Sequence, residues 1–261
     1  MFDAQYSFLF RQCQVRLLSL VLLLLITSPH QSKSDNFADT FAINIPQFTE
    51  PISTSIYNGW ESHYFSEGRD VLGGDSLIIS HVQASWKFLR NEIWYATSPN
   101  QSYDELQYMF VINQTFNNYA VYVGYRHLQF PSDNLNDDEV YAGLSVSDLP
   151  VELQAAVDAY YSFVADGFFV EISVLKNFIL TEALSFSGTG TFGINQGYIS
   201  DGHNGANHFA LTLQSTYQLS DAISIMARLA QSWTIDRDPD LAGDAQLIDF
   251  LNGGISVRWF F

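Results

Sequence analysis

Residues Gly254 to Phe261 read G-I-S-V-R-W-F-F, and their alternation sets the terms for the rest of the chain. Ile255, Val257, Trp259 and Phe261 fall on one face at period two, while Ser256, Arg258 and Phe260 fall on the other. This predicts a β-strand with one apolar face, ending on an aromatic where the last residues of a soluble domain usually fray in solvent. Alone, the stretch fits an ordinary final strand equally well, so the decision passes to the residues upstream.

From Ser53 onward the same alternation recurs about twelve times between turn residues, with no helical period sustained beyond about two turns. The expected strands in the first half are Ser53–Ser66, Ser76–Phe88, Glu92–Ser98, Tyr103–Thr115, Tyr119–Phe130 and Glu139–Ser147. Those in the second half are Val151–Phe163, Phe168–Lys176, Ala183–Asn195, His208–Leu219, Ala222–Ile235 and Gly254–Phe261. Many exceed the roughly 5–6 residues of a soluble strand and approach the roughly 9–11 that cross a bilayer at a tilt. Connections alternate too: Leu89–Asn91, Phe116–Asn118, Asp148–Pro150 and Ser220–Asp221 are tight. Glu67–Asp75, Pro131–Asp138, Gln196–Asn207 and Asp236–Gly253 are long and rich in Asp, Asn and Gly.

When apolar residues set the parity of each strand, the strand charges are expected to share the other face. Glu61, Lys87, Glu92, Glu105, Arg126, Glu139, Asp158, Glu171, Arg228 and Arg258 carry that expectation. A soluble barrel has the same period with its apolar face buried, so alternation does not say which face is inside. The aromatics of the apolar face do. Phe88, Tyr119, Tyr217, Trp259 and Phe261 gather at one set of strand ends, and Tyr64, Phe163, Phe168, Phe209 and Trp233 at the other, around an aliphatic middle. Two aromatic girdles fit the two interfaces of a membrane. The expected fold is all-β: a transmembrane, up-and-down antiparallel β-barrel of about 12 strands over residues 53–261.

The N-terminus agrees. Leu17 to Ile26, L-L-S-L-V-L-L-L-L-I, follows Arg11 and Arg16 and precedes a polar run, too short to span a bilayer but suited to a secretory signal. Residues 1–34 are therefore expected to be a signal peptide and 35–52, with two prolines, a periplasmic lead segment. The single cysteine, Cys13, falls within the leader, so the remaining chain suits an oxidising compartment. The leader carries Arg11, Arg16 and Lys33 against Asp3, and its loss takes the formal charge from −17 to −19. A surface so acidic excludes nucleic acid as a partner, because phosphates need basic surface.

The final strand resembles the C-terminal strand by which Gram-negative outer-membrane β-barrels are recognised by their assembly machinery, with Trp259 and Phe261 as its signal; Ser256 stands where the family often has glycine. A second resemblance lies in Tyr57 to Leu77, Y-N-G-W-E-S-H-Y-F-S-E-G-R-D-V-L-G-G-D-S-L. It is similar to the first hairpin of the TorF-type porin family, through Tyr64, Gly68, Arg69 and Asp75, although Gly68 and Arg69 stand in reverse order. Together these imply localisation in the cell outer membrane and a porin-like channel for small solutes, monomeric, with outer-membrane lipid around it and no cofactor.

On that reading the pore-lining residues are Glu61, His81, Lys87, Glu105, Arg126, Glu139, Asp158, Glu171, Arg228 and Arg258. Both signs occur, as in a water-filled passage that discriminates by charge; salt bridges filling a closed structural or adhesive barrel use the same residues. Asp201, His203, Asn204 and His208 offer metal-ligand chemistry and are also ordinary loop material. Asp236, Asp238, Asp240 and Asp244 lack the spacing of a calcium loop, so no metal is expected. An outer-membrane lipid hydrolase is the remaining alternative. His63 and Ser66 fall on opposite faces, Pro131 separates His127 from Ser132, and no G-x-S-x-G or H-E-x-x-H occurs, so no catalytic residue is expected.

Overall fold

The structure, a computed structural model, describes residues 51–261; the expected leader and most of the lead segment lie outside the described residues. Twelve antiparallel strands close into a barrel in up-and-down order. In the first half these are β1 (Ser53–Glu61), β4 (Leu77–Trp86), β5 (Leu89–Thr97), β6 (Asp104–Phe116), β7 (Tyr119–Phe130) and β8 (Leu135–Leu149). The second half has β9 (Leu153–Ser162), β10 (Gly167–Ile179), β11 (Leu184–Gln196), β12 (Gly205–Ser220), β13 (Ile223–Thr234) and β14 (Phe250–Phe260). Between β1 and β4 lies a separate small ribbon, β2 (Phe65–Ser66) with β3 (Arg69–Asp70). The barrel closes where β1 meets β14, from Ser55 opposite Phe260 to Glu61 opposite Gly254. The Phe261 N–H donates to the Thr54 carbonyl at 2.9 Å, extending that seam.

One end of the barrel carries only tight connections, at 87–88, 117–118, 150–152, 180–183 and 221–222. The other carries L1 (62–76), L2 (98–103), L3 (131–134), L4 (163–166), L5 (197–204) and L6 (235–249). L3 is shorter than the expected 131–138 because β8 already starts at Leu135. Its first residues stay paired to β7, where Asp138 accepts from His127 at 2.6 Å.

The two faces differ in chemistry. Ile78, Val82, Phe110, Val123, Leu144, Val157, Ile172, Leu211, Leu213, Leu229 and Ile255 all point outward and are exposed, while Leu77, Ile79, Val111, Phe169, Ala210 and Ala230 are buried. A closed sheet with its greasy side outermost is the inverse of a soluble barrel and fits immersion in lipid. Exposed aromatics band both ends, with Phe88, Phe116, Tyr119, Phe178 and Tyr217 near the turns and Trp60, Phe163, Phe168, Phe209 and Trp233 near the loops.

Four expectations are corrected. Tyr64 is not in the outer band: β1 stops at Glu61, Ser62 N–H bonds the Gly253 carbonyl at 2.8 Å, and the chain turns inward there, so the Tyr64 phenol reaches Glu105. The turn expected at Leu89–Asn91 is the two-residue Lys87–Phe88. Lys87 therefore does not line the lumen; it sits in that turn at φ 52° with its ammonium 5.1 Å from the Trp86 ring centre. Finally, not every strand charge faces inward. Lys176 points out near the turn end, where its long stem lets the ammonium reach the Val151 carbonyl at 2.7 Å.

Glycine lets inward tyrosines lie flat on the wall. A Cβ on Gly124 would stand 2.4 Å from the Tyr141 ring, and one on Gly143 2.3 Å from Tyr122. Gly124→Val is expected to destabilise the barrel by about 1–3 kcal/mol through overpacking, with part recovered in the double variant with Tyr141→Ala. Equilibrium unfolding in detergent measures both, and a Gly124→Val barrel as stable as the parent would end the packing argument.

Candidate functional site

The enclosed face of the barrel gathers the polar chemistry of the chain. Register places Glu61, His81, Glu105, Arg126, Glu139, Asp158, Glu171, Arg228 and Arg258 on it. It places Glu92 there too, opposite Gln83 as its expected parity requires, and adds Arg90 opposite Ser85.

These side chains divide by arc. Across β13, β14, β1, β4 and β5 stand Arg228, Arg258, His81 and Arg90 with two carboxylates. Arg228 bonds Glu61 at 2.6 Å, and Glu92 takes both His81 at 2.7 Å and Arg90 at 2.6 Å. Arg258 lies over the Tyr57 ring at 5.7 Å and has no ion-pair partner among the described residues. Across β6 to β10 the carboxylates dominate. Glu105, Glu139, Asp158 and Glu171 stand there around Arg126, which donates to Glu139 at 2.7 Å, while Glu105 takes the phenol of Tyr64 and Asp158 that of Tyr122; Asp158 sits directly opposite Glu171. Tyr122, Tyr141 and Tyr160 run along that wall ring to ring, with Arg126 5.5 Å from the Tyr160 ring centre. A cavity of about 360 Å³ opens along the basic arc, lined by Tyr57, Glu61, His81, Trp94, Gln214, Arg228 and Arg258 among others.

The loop end is not an open ring. L1 folds over it, anchored on the β4–β5 side and on the β12 and L6 side. On one side Leu72 packs with Leu77, Ile79 and Ala96, and with the rings of Tyr57, Tyr64, Trp94 and Tyr103. On the other side the buried Arg69 reaches L6, donating to the Gly243 carbonyl at 2.8 Å and to Asp244 at 3.1 Å, and also bonds Asn207 at 3.1 Å. Between these anchors Glu67 points down among Glu105, Glu139 and Arg126. Burial pushes its carboxyl above the ordinary range despite the Ser66 hydroxyl bonded to it. L5 adds Tyr198, whose phenol donates to Glu139 at 2.5 Å. Burial, then the nearby Glu67, push that phenol well above its ordinary range.

L1 is what sequence reasoning missed as part of the site. It reads as a solvated acidic loop, and only the apolar Val71–Leu72 pair inside it hints at a docked segment. The loop residues weighed for metals scatter. Asp244 takes His203, Arg69 and two backbone N–H groups, His208 packs between Phe65 and Phe169, and Asp238 and Asp240 bond within L6. Among the described residues no group of three or more His, Cys, Asp or Glu could hold a metal ion. The serines and histidines weighed for hydrolysis pair elsewhere: His127 with Asp138, Ser132 with Asp104, and His63 with the hydroxyl of Ser62.

No family model matches the sequence, and no curated protein matches it. Solved structures do match. One described as the KdgM porin superposes with TM-score 0.56 at 9% identity, covering 79% of this chain and 99% of that one. A NanC porin structure gives TM-score 0.54 at 14% identity, covering 79% and 98%. At such identities the likeness speaks for architecture, and the architecture is that of the outer-membrane porin barrels.

Proposed function

We propose that the protein is an outer-membrane channel of the porin kind, through which small solutes diffuse passively, and that the TorF-type porins are its relatives. The observation that carries this is the segregation of charge: a greasy outer surface encloses a lumen with arginines along one arc and carboxylates along the other. Such a wall replaces part of a solute's hydration and sorts solutes by charge without a binding step that traps them. The loop end faces outward from the cell, lipid surrounds the aliphatic band, and Trp259 and Phe261 offer β14 to the assembly machinery. The barrel is monomeric in this proposal, and no step in it calls on a cofactor.

Refolded protein in a planar bilayer tests the reading. Stepwise conductance supports it. A silent but heat-modifiable barrel would favour the second reading, a structural or adhesive barrel with a closed lumen, which the L1 crossing specifically motivates. Hydrolysis of phospholipid or lipid A would replace both. Arg258→Glu carries the charge argument further. A reversed charge about 7 Å from the axis alters a monovalent ion's energy by about 1 kcal/mol in water. The anion-to-cation permeability ratio is expected to fall roughly fivefold after screening by salt. Reversal potentials in a salt gradient measure this, and an unmoved potential would take Arg258 off the conduction path.

A further inference from the structure

The anchor between L1 and L6 contains an arrangement that depends on one proton. His203, in L5, directs Nδ1 at Asp244 Oδ2 at 2.6 Å and Nε2 at the carbonyl of Ala206 at 2.8 Å. A carbonyl oxygen only accepts. Asp244 is fully buried and takes Arg69 on Oδ1 and the Asp238 N–H on Oδ2, so both of its oxygens are acceptors as well. Two acceptors need two N–H donors, and an imidazole has two only when doubly protonated.

We propose that His203, Asp244 and Arg69 form a proton-operated latch that holds L1 across the loop-end mouth when His203 carries both ring protons and releases it when one is lost. The neutral ring can keep only one of its two bonds. It then leaves either the Ala206 carbonyl or Asp244 short of a donor, and Asp244 is the group that Arg69 of L1 grips. The latch is therefore complete when the ring holds both protons and weakens as rising pH removes one. In gating a flow of solute it rests on the channel reading; in holding L1 it does not.

The other charged groups around the latch set its window. From L6, Arg237 donates to the Asp244 carbonyl at 3.0 Å, and Asp238 supplies its N–H. From L1 come Arg69 and Glu67, with His63 at the base of the loop, and from L5 Asp201 lies against Gly243. Burial raises the Asp244 carboxyl, but the Asp238 N–H and the His203 contacts outweigh it and hold Asp244 below its ordinary range, as a carboxylate that accepts on both oxygens. His208 also faces L1, beneath Gly68, yet its Nδ1 already faces an Asn207 N–H donor at 3.1 Å. Protonating His208 would break that bond and loosen L1 on acidification, the opposite sign. The direction of the pH response therefore identifies the histidine at work.

Trypsin provides the readout. The Arg69–Asp70 bond is buried in the latch, and an added unstructured peptide with one Arg–Asp bond serves as the reference for trypsin's own pH dependence. In lipid nanodiscs, the ratio of cleavage after Arg69 to cleavage of that peptide is expected to rise roughly tenfold from about pH 6 to about pH 8, the worth of one charge-assisted hydrogen bond. His203→Gln, which does not titrate, should flatten that response, while His208→Gln should leave it in place. A ratio that does not change with pH, that falls as pH rises, or that keeps its rise in His203→Gln overturns the latch. Bilayer recordings at the same two pH values separate the two readings. Silence with a pH-dependent ratio removes the channel and keeps the latch; conductance with a flat ratio does the reverse.

Discussion

Leu213→Arg is expected to destabilise the folded barrel by about 2–4 kcal/mol in lipid, the cost of a cationic side chain near mid-bilayer on the lipid face. Leu213 lies midway along β12, is 64% exposed, and pairs with Gly188 on β11 and Leu229 on β13, both also on the outward face. Were that surface in water, a charge there would be close to neutral, because surface substitutions away from special features usually stay within about 0.5 kcal/mol. Thr212→Arg, one residue away on the lumenal face, is the internal control and is expected to cost less than about 1 kcal/mol. Denaturant titration of both variants in the same lipid decides the matter. Equal penalties, or a larger one for Thr212→Arg, would reverse the assignment of inside and outside.

Arg69→Ala should undock L1. Removing one member of a buried ion pair leaves the other charged and without compensation, which costs about 3–5 kcal/mol. Here the survivor, Asp244, keeps His203 and two backbone N–H donors, which sets the cost at the lower end of that range, while the Gly243 carbonyl and the Asn207 side chain lose donors at the same time. The loss falls on the docking of L1 and not on the barrel strands, so the equilibrium for L1 release is expected to shift by a factor on the order of 10²–10³. Hydrogen exchange reads it at Asp70, whose N–H bonds the Gln246 carbonyl at 3.1 Å. Arg69→Lys keeps the charge but not the planar fork that spans four acceptors, the Glu67 carbonyl among them, and should fall between. Undiminished protection at Asp70 in the alanine variant would show that the apolar contacts around Leu72 hold L1 without help.

The barrel itself was legible in the sequence because lipid enforces a rule at every second residue. From Leu153 to Ser162 and from Phe209 to Tyr217, the parity read from the side chains is the parity in the structure. Where lipid exerts no pressure, the reading loosened. The turn at Lys87–Phe88 has none of the usual glycine or asparagine at its positive φ, so the sequence marks it two residues late and hides Arg90 in the expected turn. Polar residues at the start of β8 read as loop because that strand continues past the aliphatic band, where Asn136 and Asp138 cost nothing facing outward. L1 was the largest omission. Its docking depends on pairings such as Arg69 with Asp244, 175 positions apart, and no local pattern encodes such a meeting.

The seam between β1 and β14 has a kinetic consequence. It joins residues some 200 positions apart, whereas every other barrel pairing is between strands consecutive around the hairpin path. The hairpins can therefore form in any order, but the ring shuts only once both ends have arrived, and contacts so distant in sequence are slow to make. Until then two strand edges stand unpaired, open to joining a neighbouring chain. Expression at high concentration should thus yield edge-linked aggregates sooner than misfolded hairpins, and a covalent bridge between β1 and β14 should suppress them.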